Sequence, residues 1–461
     1  MGSLGNSGRV ESLDDRLVSA VRTCDADAVR TLLGAGADPD VVGADGLPVL
    51  CAAVAAYDEP VAEALVEGGA DQNRLLPDGT TPLLRAVELG SPAVVTALLG
   101  NEPQQWLQQA AQERLLALAR SWYETGAAEE LRRRTGTPGP AEVLLIRDCE
   151  YNQVEQISLG GLTVRAGHGA ILTWLERAFD IPTPVDELAA RALRCPDKED
   201  AYWHVDWFAA CFTLSQRRDK DTWSSVAAFR HHPSPAHRAF VACSLGIGIG
   251  IEITDQDWYA KERNQLLAGW AAEETDDEVL AKVLDAYPGG DHLDQEVLGL
   301  RYTNHSDPRV RREVPYYLHT HGTPVTPEAT TALLTLARDP DPAVRSAVCN
   351  ALGAGRDLTP DTRNALLTLI RDPDEGVRSS AAVALSSSRD RTPAVADAFR
   401  ALLDEDNQLL RLEGAYGLAQ QDDPQTEGAY ERVGSLGPAF DIDHRASGLW
   451  QWRSRNRPNQ S

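Results

Sequence analysis

A spacing of 33 residues recurs near the start of the chain, and it limits the fold more than any other feature. Leu17, Leu50 and Leu83 lie 33 apart, as do Ala20, Ala53 and Ala86, and again Leu32, Leu65 and Leu98. Gly36-Ala37-Asp38 returns as Gly69-Ala70-Asp71, and Asp45-Gly46 as Asp78-Gly79. A unit of this length cannot bury its apolar face alone and must stack on its neighbours, which makes a solenoid. Without the period, 461 residues would be read as about three compact domains.

Within the unit, Leu83 and Ala86-Val87 share one face of a short helix, and Val94, Leu98 and Leu99 one face of the next. Gly36 and Gly69 suit the positive-φ position that ends a helix, and Asp-Gly suits a tight turn at the tip of an outward finger. The small Ala on the inner helix lets neighbouring pairs approach closely. These residues resemble the ankyrin repeat, best in Asp78-Gly79-Thr80-Thr81-Pro82-Leu83 followed by Ala86, Gly90, Val94 and Leu98-Leu99. The resemblance covers residues 13–100. It departs at Leu84, where the family has His, and at Pro48-Val49, where Thr-Pro is usual; the first unit lacks a finger, as a capping repeat does. It implies a protein-binding surface, for which Val42, Asp45, Arg74 and Leu76 on the fingers are the candidate contact residues.

A second register appears late in the chain. Arg311, Arg345, Arg378 and Arg411 follow at intervals of 34, 33 and 33, each preceded by Val or Leu. Asp307, Asp341 and Asp374 introduce the first three, and Asn407 the fourth. Small and apolar residues then recur, as in Ala347-Val348 with Ala351-Leu352, giving the stripe of a buried helical face. These units resemble HEAT repeats, in the bacterial form related to phycobilin-lyase repeats, over residues 291–420. The resemblance implies that the Asp closing one turn pairs with the Arg of a neighbouring helix, so that the four arginines form a structural ladder. Arg312, His319, Ser346, Asn350, Ser379 and Tyr416 lie off the core stripe of each second helix and are the candidate contacts for a partner. Pro315 falls inside a second helix and is expected to kink it.

Residues 101–290 carry no regular period and read as divergent helical pairs, with Pro235-Ala236-His237-Arg238 as the trace of a decayed HEAT helix. Eight of the ten tryptophans fall here, and Trp203, Trp207, Cys211 and Leu214 share one helical face as core. Alternation around Gly160-Gly161 predicts a β-hairpin insertion near residues 143–165, either a plug between the arrays or a projecting binding element. A helix follows from His168 to Phe179. Residues 1–12 read as a flexible N-terminus and 421–461 as a cap and tail, frayed from Asp441 onward.

Enzyme signatures are missing: there is no H-E-x-x-H, G-x-S-x-G, G-x-x-x-x-G-K or EF-hand pattern. Gly246-Ile247-Gly248-Ile249-Gly250 follows a predicted helix and reads as a linker. His204 and Asp206 are two apart and cannot share a helical face for a metal. His231, His232, His237 and Arg238 form a cationic turn, and Asp276-Asp277-Glu278 an exposed acidic run. No catalytic residue, metal or cofactor is therefore assigned. Seven scattered cysteines without C-x-x-C indicate no disulfide framework, and the first residues lack the pattern of a signal peptide. No run of about 18 apolar residues is present. The chain is thus expected in the cytoplasm. Only Lys198, Lys220, Lys261 and Lys282 are lysines among 44 basic residues, a habit of GC-rich bacterial genomes.

Against those 44 stand 69 acidic residues, a net charge of −25 that disfavours phosphate backbones and anionic lipids. The expected fold is an all-α helical-repeat solenoid, with ankyrin repeats, divergent pairs and HEAT-like repeats in sequence and a small β-hairpin inserted. The expected function is a non-catalytic scaffold that binds a protein, preferably a basic one, and neither nucleic acid nor membrane. Two rivals differ in kind: an immunity protein that neutralises a bacterial toxin, and a HEAT-like enzyme of the bilin-lyase or DNA-glycosylase type. The last requires a basic groove, for which Arg217, Arg218 and Arg230 are the test positions.

Overall fold

The computed structural model describes residues 12–194, 204–217, 220–247, 260–286, 295–319, 325–437, 440 and 443–456. Residues 1–11, Lys198, Trp203, Arg218, Gly248, Ile249 and Gly250 lie outside that set. The chain divides into two compact units, Met1–Ile253 and Thr254–Ser461. The division falls inside the stretch read from sequence as one divergent region.

The first unit opens with α1 (Leu13–Arg22), α2 (Ala26–Gly34), α3 (Val49–Ala56), α4 (Glu59–Glu67), α5 (Pro82–Leu89) and α6 (Pro92–Leu99). Helices this short need their ends satisfied, and the sequence supplies the caps. The Ser12, Asp25, Asp58, Thr81 and Ser91 side chains each accept a backbone N–H of the first turn. The first and second helix of each pair meet at Cys24, Tyr57 and Gly90, all with positive φ and all 33 apart. Gly36 and Gly69 take φ of 95° and 97°, and Gly46 and Gly79 make the finger turns at 77° and 78°. The odd helices pack in one row and the even helices in a second.

The unit continues through α7 (Gln109–Thr125), α8 (Ala127–Thr135), β1 (Glu142–Arg147), β2 (Gln153–Leu159), β3 (Leu162–Arg165) and α9 (His168–Ala178). Ile171, Leu172 and Leu175 of α9 join the same apolar core as Leu17, Leu50, Leu83 and Leu98. Thus α7 and α9 complete the ankyrin stack, and α8 with the strands is inserted between them. The expected insertion over residues 143–165 is present as a three-stranded antiparallel meander, β1-β2-β3, with the hairpin at Gly160-Gly161 joining β2 to β3. Gly160 and Gly161, with φ of 60° and 81°, give the two-residue turn whose twist matches its strands. The sheet is fastened to the repeats at one end. Asp148, in the β1–β2 connection, accepts from the Ser91 hydroxyl at 2.7 Å and the Ala93 N–H at 2.8 Å, so it caps α6. Arg165 of β3 donates to the same carboxylate at 2.7 Å and lies over the Tyr57 ring. Gly90 permits this approach, because a Cβ there would lie 1.9 Å from the Arg165 carbonyl oxygen. Then come α10 (Val185–Ala192), α11 (Val205–Ser215), α12 (Lys220–Phe229) and α13 (Pro235–Ile247). Trp207, Cys211 and Leu214 are buried on α11.

The second unit holds α14 (Ala260–Glu273), α15 (Asp277–Asp285), α16 (Gln295–Tyr302), α17 (Pro308–Leu318), α18 (Pro327–Leu336), α19 (Pro342–Gly353), α20 (Pro360–Leu369), α21 (Glu375–Ser387), α22 (Pro393–Leu402), α23 (Gln408–Gln420), α24 (Thr426–Val433) and α25 (His444–Asn456). The second helices of the repeats, α15, α17, α19, α21, α23 and α25, stack directly on one another. Helix α17 runs on through Pro315 to Leu318. The tail read as frayed is folded from His444 to Asn456: α25 buries Leu449 and Trp452 and packs on α23.

The ladder is built differently from the expectation. Asp307, Asp341, Asp374 and Asn407 are N-caps of their own helices and accept first-turn N–H groups. The arginines pair instead with an acid lying two residues before the cap of the following repeat: Arg311 with Asp339 at 2.6 Å, Arg345 with Asp372 at 2.7 Å and Arg378 with Glu405 at 3.3 Å. Each also donates Nη1–H groups to two carbonyls behind it. Arg345 reaches those of Asp339 and Pro340, and Arg411 those of Glu405 and Asp406. One planar guanidinium thus closes its own inter-helix turn and grips the next.

Candidate partner-binding surfaces

The finger residues are set by backbone chemistry. Asp45 and Asp78 accept the N–H two residues on, at 3.0 and 2.9 Å, which shapes each tip. Asp40 of the first finger accepts the Asp71 N–H at 3.0 Å, and Arg74 donates to the Asp40 carbonyl at 3.3 Å, so adjacent fingers are laced together. Val42, Asp45 and Arg74 are exposed. Leu76 is not: it is 4% exposed and turns into the core, because its N–H closes the tip by bonding to the Thr80 carbonyl. The outward residue is its neighbour Leu75, 73% exposed. Leu75 follows Val42, itself 46% exposed, by one repeat of 33, so two large apolar side chains occupy equivalent places on successive fingers.

On the second-helix face, several candidates have partners within the chain. The Ser346 and Ser380 hydroxyls meet at 2.7 Å between α19 and α21. Ser379 donates to buried Glu413 of α23 at 3.4 Å, and Arg445 of α25 donates to the same carboxylate at 2.5 Å. Burial pushes the Glu413 carboxyl up, while Arg445 and Ser379 draw it back. Arg312 pairs with Glu313 at 2.8 Å, and His319 ends α17. Asn350 is exposed, and Tyr416 is half-buried with its ring edge-on to His444.

Asn350 and Tyr416 are brought together. With Arg356, Val383, Arg389 and Arg391 they line a cleft of about 560 Å³ on the C-terminal ends of α19 and α21. Positive charge there is favoured by the helix dipoles. Arg389 faces Asp357 at 3.5 Å, both exposed. The sequence carried a signal for this cleft: Asn350, Val383 and Tyr416 are 33 apart, as are Arg356 and Arg389.

The perturbed titratable groups elsewhere have structural roles. Burial lifts the Asp206 carboxyl to about 7, opposed by the Ala170 N–H it accepts at 2.5 Å in the first turn of α9. Burial lowers His168 to about 4, and its ring stacks on Trp122 at 4.7 Å. Arg191 and Glu176 form a buried pair at 2.7 Å, completed by Thr173 and Thr183. The His204 ring accepts the Asp206 N–H at 3.3 Å as the cap of α11. His232, in the turn before α13, stacks on His237 in the first turn of that helix at 4.2 Å. Among the described residues no group of three or more His, Cys, Asp or Glu could hold a metal ion, and no helix is long and apolar enough to cross a membrane.

These stacked, capped helix pairs with a small sheet define a helical-repeat solenoid. Residues 17–109 match the family model of ankyrin repeats in three copies, and residues 330–419 that of HEAT repeats, so an N-terminal ankyrin region is fused to HEAT repeats. Repeats of both kinds are generally protein-interaction modules. No curated protein matches the chain. Among solved structures, the X-ray structure of YibA from Escherichia coli is similar at 16% identity, covering 59% of this chain and 98% of that one with a TM-score of 0.41.

Proposed function

We propose that the protein is a non-catalytic cytoplasmic scaffold that binds another protein on its repeat surfaces. The observation that carries this reading is the pair Val42 and Leu75, apolar and exposed at equivalent places on adjacent, hydrogen-bonded fingers. Large side chains on a rigid frame offer contact area with little ordering cost. The charge of −25 favours a partner whose contacting face is basic, with encounter steered at low salt. The described cysteines are free thiols, four of them buried, in keeping with a reducing compartment.

Affinity capture with the full chain, read by mass spectrometry, tests the proposal. Wild type recovers a reproducible protein, and Val42→Asp with Leu75→Asp loses it while the far-ultraviolet spectrum is unchanged. Recovery of no reproducible partner overturns the reading. So does binding of duplex DNA at physiological salt that is lost on substituting Arg217, Arg218 or Arg230.

A further inference from the structure

We infer that the cleft on the HEAT repeats takes an extended acidic segment of a protein, with carboxylates at alternate residues. The inference rests on the scaffold reading and names the chemistry that one of its surfaces would select. In a chain of −25, three guanidiniums gather at one place: Arg356, Arg389 and Arg391. The only carboxylate paired with any of them among the described residues is Asp357, a long 3.5 Å contact to Arg389 with both side chains exposed. An exposed pair of that length adds little to the fold, so it leaves the arginines available to a ligand. Arg391 donates to the Ser388 and Asp390 carbonyls through one nitrogen, Nη1.

The arrangement is periodic, and the junction of the repeats sets the ligand's spacing. Arg356 and Arg389 are equivalent residues of successive repeats, joined where the Arg389 N–H donates to the Arg356 carbonyl at 2.7 Å. A backbone bond of that length holds the two Cα atoms about 5–6 Å apart, and an extended peptide turns alternate side chains, about 7 Å apart, to one face. A chain lying along the pair would therefore present every second side chain to an arginine. Beside that row runs a second one, Asn350, Val383 and Tyr416. It offers an amide that can both donate and accept to a peptide backbone, a 41% exposed apolar side chain and a phenol. Amide and apolar groups between cations match a peptide better than a phosphate backbone, which would gain nothing from Val383.

The test uses the full chain and three labelled nine-residue peptides with Gly-Ser spacers, carrying Glu, Gln or Lys at every second position, followed by fluorescence anisotropy at 50 and 150 mM NaCl. The Glu peptide is expected to bind, more weakly at the higher salt, and the Gln and Lys peptides are not. Arg356→Ala and Arg389→Ala are each expected to weaken binding at least fivefold, and Arg356→Glu with Arg389→Glu to abolish it. All these positions are exposed, and circular dichroism checks folding. A Glu peptide with acids at every third position, which turn to opposite faces, is expected to bind several-fold less well. Equal affinity for both spacings, no binding of the Glu peptide at 1 mM, or tighter binding of a single-stranded oligonucleotide of equal charge each overturns the inference. If a partner is still captured by the Arg356→Glu, Arg389→Glu variant, the scaffold reading stands while the acidic-segment inference falls. If the Glu peptide binds as described and capture recovers no partner, the reverse holds.

Discussion

Asp206 gives the structure a titration that runs opposite to the usual acid unfolding. Its carboxyl is buried between α9 and α11, with the Ala170 N–H as its hydrogen-bond donor, Arg191 and Arg194 lowering its pKa weakly and Glu155 of β2 raising it. Burial dominates and lifts it from 3.8 to about 7. A raised carboxyl makes its full contribution below the unfolded value and loses it as pH rises through the folded value, because the folded state holds the proton longer. Over that whole interval the loss is about 4 kcal/mol, and between pH 5 and 8 it is about 2–3 kcal/mol. Asp206→Asn keeps an oxygen for the Ala170 N–H but cannot ionise. Its stability relative to wild type should therefore climb by about 2–3 kcal/mol from pH 5 to pH 8, whatever constant offset the amide adds. Repeat arrays open in stages, so the readout is hydrogen exchange of α9 and α11 amides, corrected for intrinsic rates at each pH. A difference that stays flat within about 0.5 kcal/mol, or that falls with pH, refutes a buried, proton-holding Asp206.

Three further outcomes follow from the same coordinates. Arg345→Met removes two short bonds to Asp372 and two to carbonyls, and should lower stability by about 2–3 kcal/mol in urea unfolding at pH 7. Burial raises the Asp372 carboxyl, but the Arg345 and Asp374 hydrogen bonds hold it below 3.8 overall, so this deficit should shrink as pH falls below that value. Gly353→Ala places a Cβ 2.5 Å from that of Ala384, and should lower the melting temperature by several degrees, the clash of about 1–3 kcal/mol outweighing the gain in helix propensity. Leu76→Asp should cost more than about 3 kcal/mol in the urea midpoint, whereas Leu75→Asp should stay within about 0.5 kcal/mol, which separates the inward from the outward residue of that finger.

What the sequence disclosed was whatever the fold uses more than once. Leu50, Ala53 and Gly69 recur because each repeat must pack, stack and turn in the same way. A second recurrence stood unread: Thr326-Pro327, Thr359-Pro360 and Thr392-Pro393 are 33 apart and start α18, α20 and α22. The one-residue error at Leu76 has a different cause. In a finger, facing is decided by which backbone group closes the tip, and Leu75-Leu76 offers two equal side chains to either choice. The anchoring of the sheet was hidden for a similar reason, since it rests on Asp148, whose partners Ser91 and Arg165 are 57 and 17 residues away. Such contacts occur once and leave no period.

The same distinction explains why the ladder's acids were misassigned. Two aspartates stand two residues apart at the second and third junctions, Asp339 with Asp341 and Asp372 with Asp374, and sequence alone offers either to the arginine. Geometry separates them. The second must cap its own helix, and its carboxylate is held by N–H groups at 2.8 to 3.3 Å, as Asp341 is by Ala343 and Val344. The first is left facing the previous repeat's arginine, and it also accepts the cap residue's N–H, at 2.9 Å from Asp341 to Asp339. The two roles are thus coupled through one backbone turn: substituting the cap would disturb the pair, and removing the pair would loosen the cap. Asn407 fits this scheme, since its amide oxygen still accepts the Leu409 N–H at 2.8 Å. The adjoining ladder acid is Glu405, whose longer side chain reaches Arg378 at 3.3 Å. Arg411, at the same junction, bonds to carbonyls, including that of Arg432 at 3.1 Å. The fourth junction keeps the capping function and lets the ion pair lengthen, which marks the cap as the stricter of the two requirements for stacking another repeat.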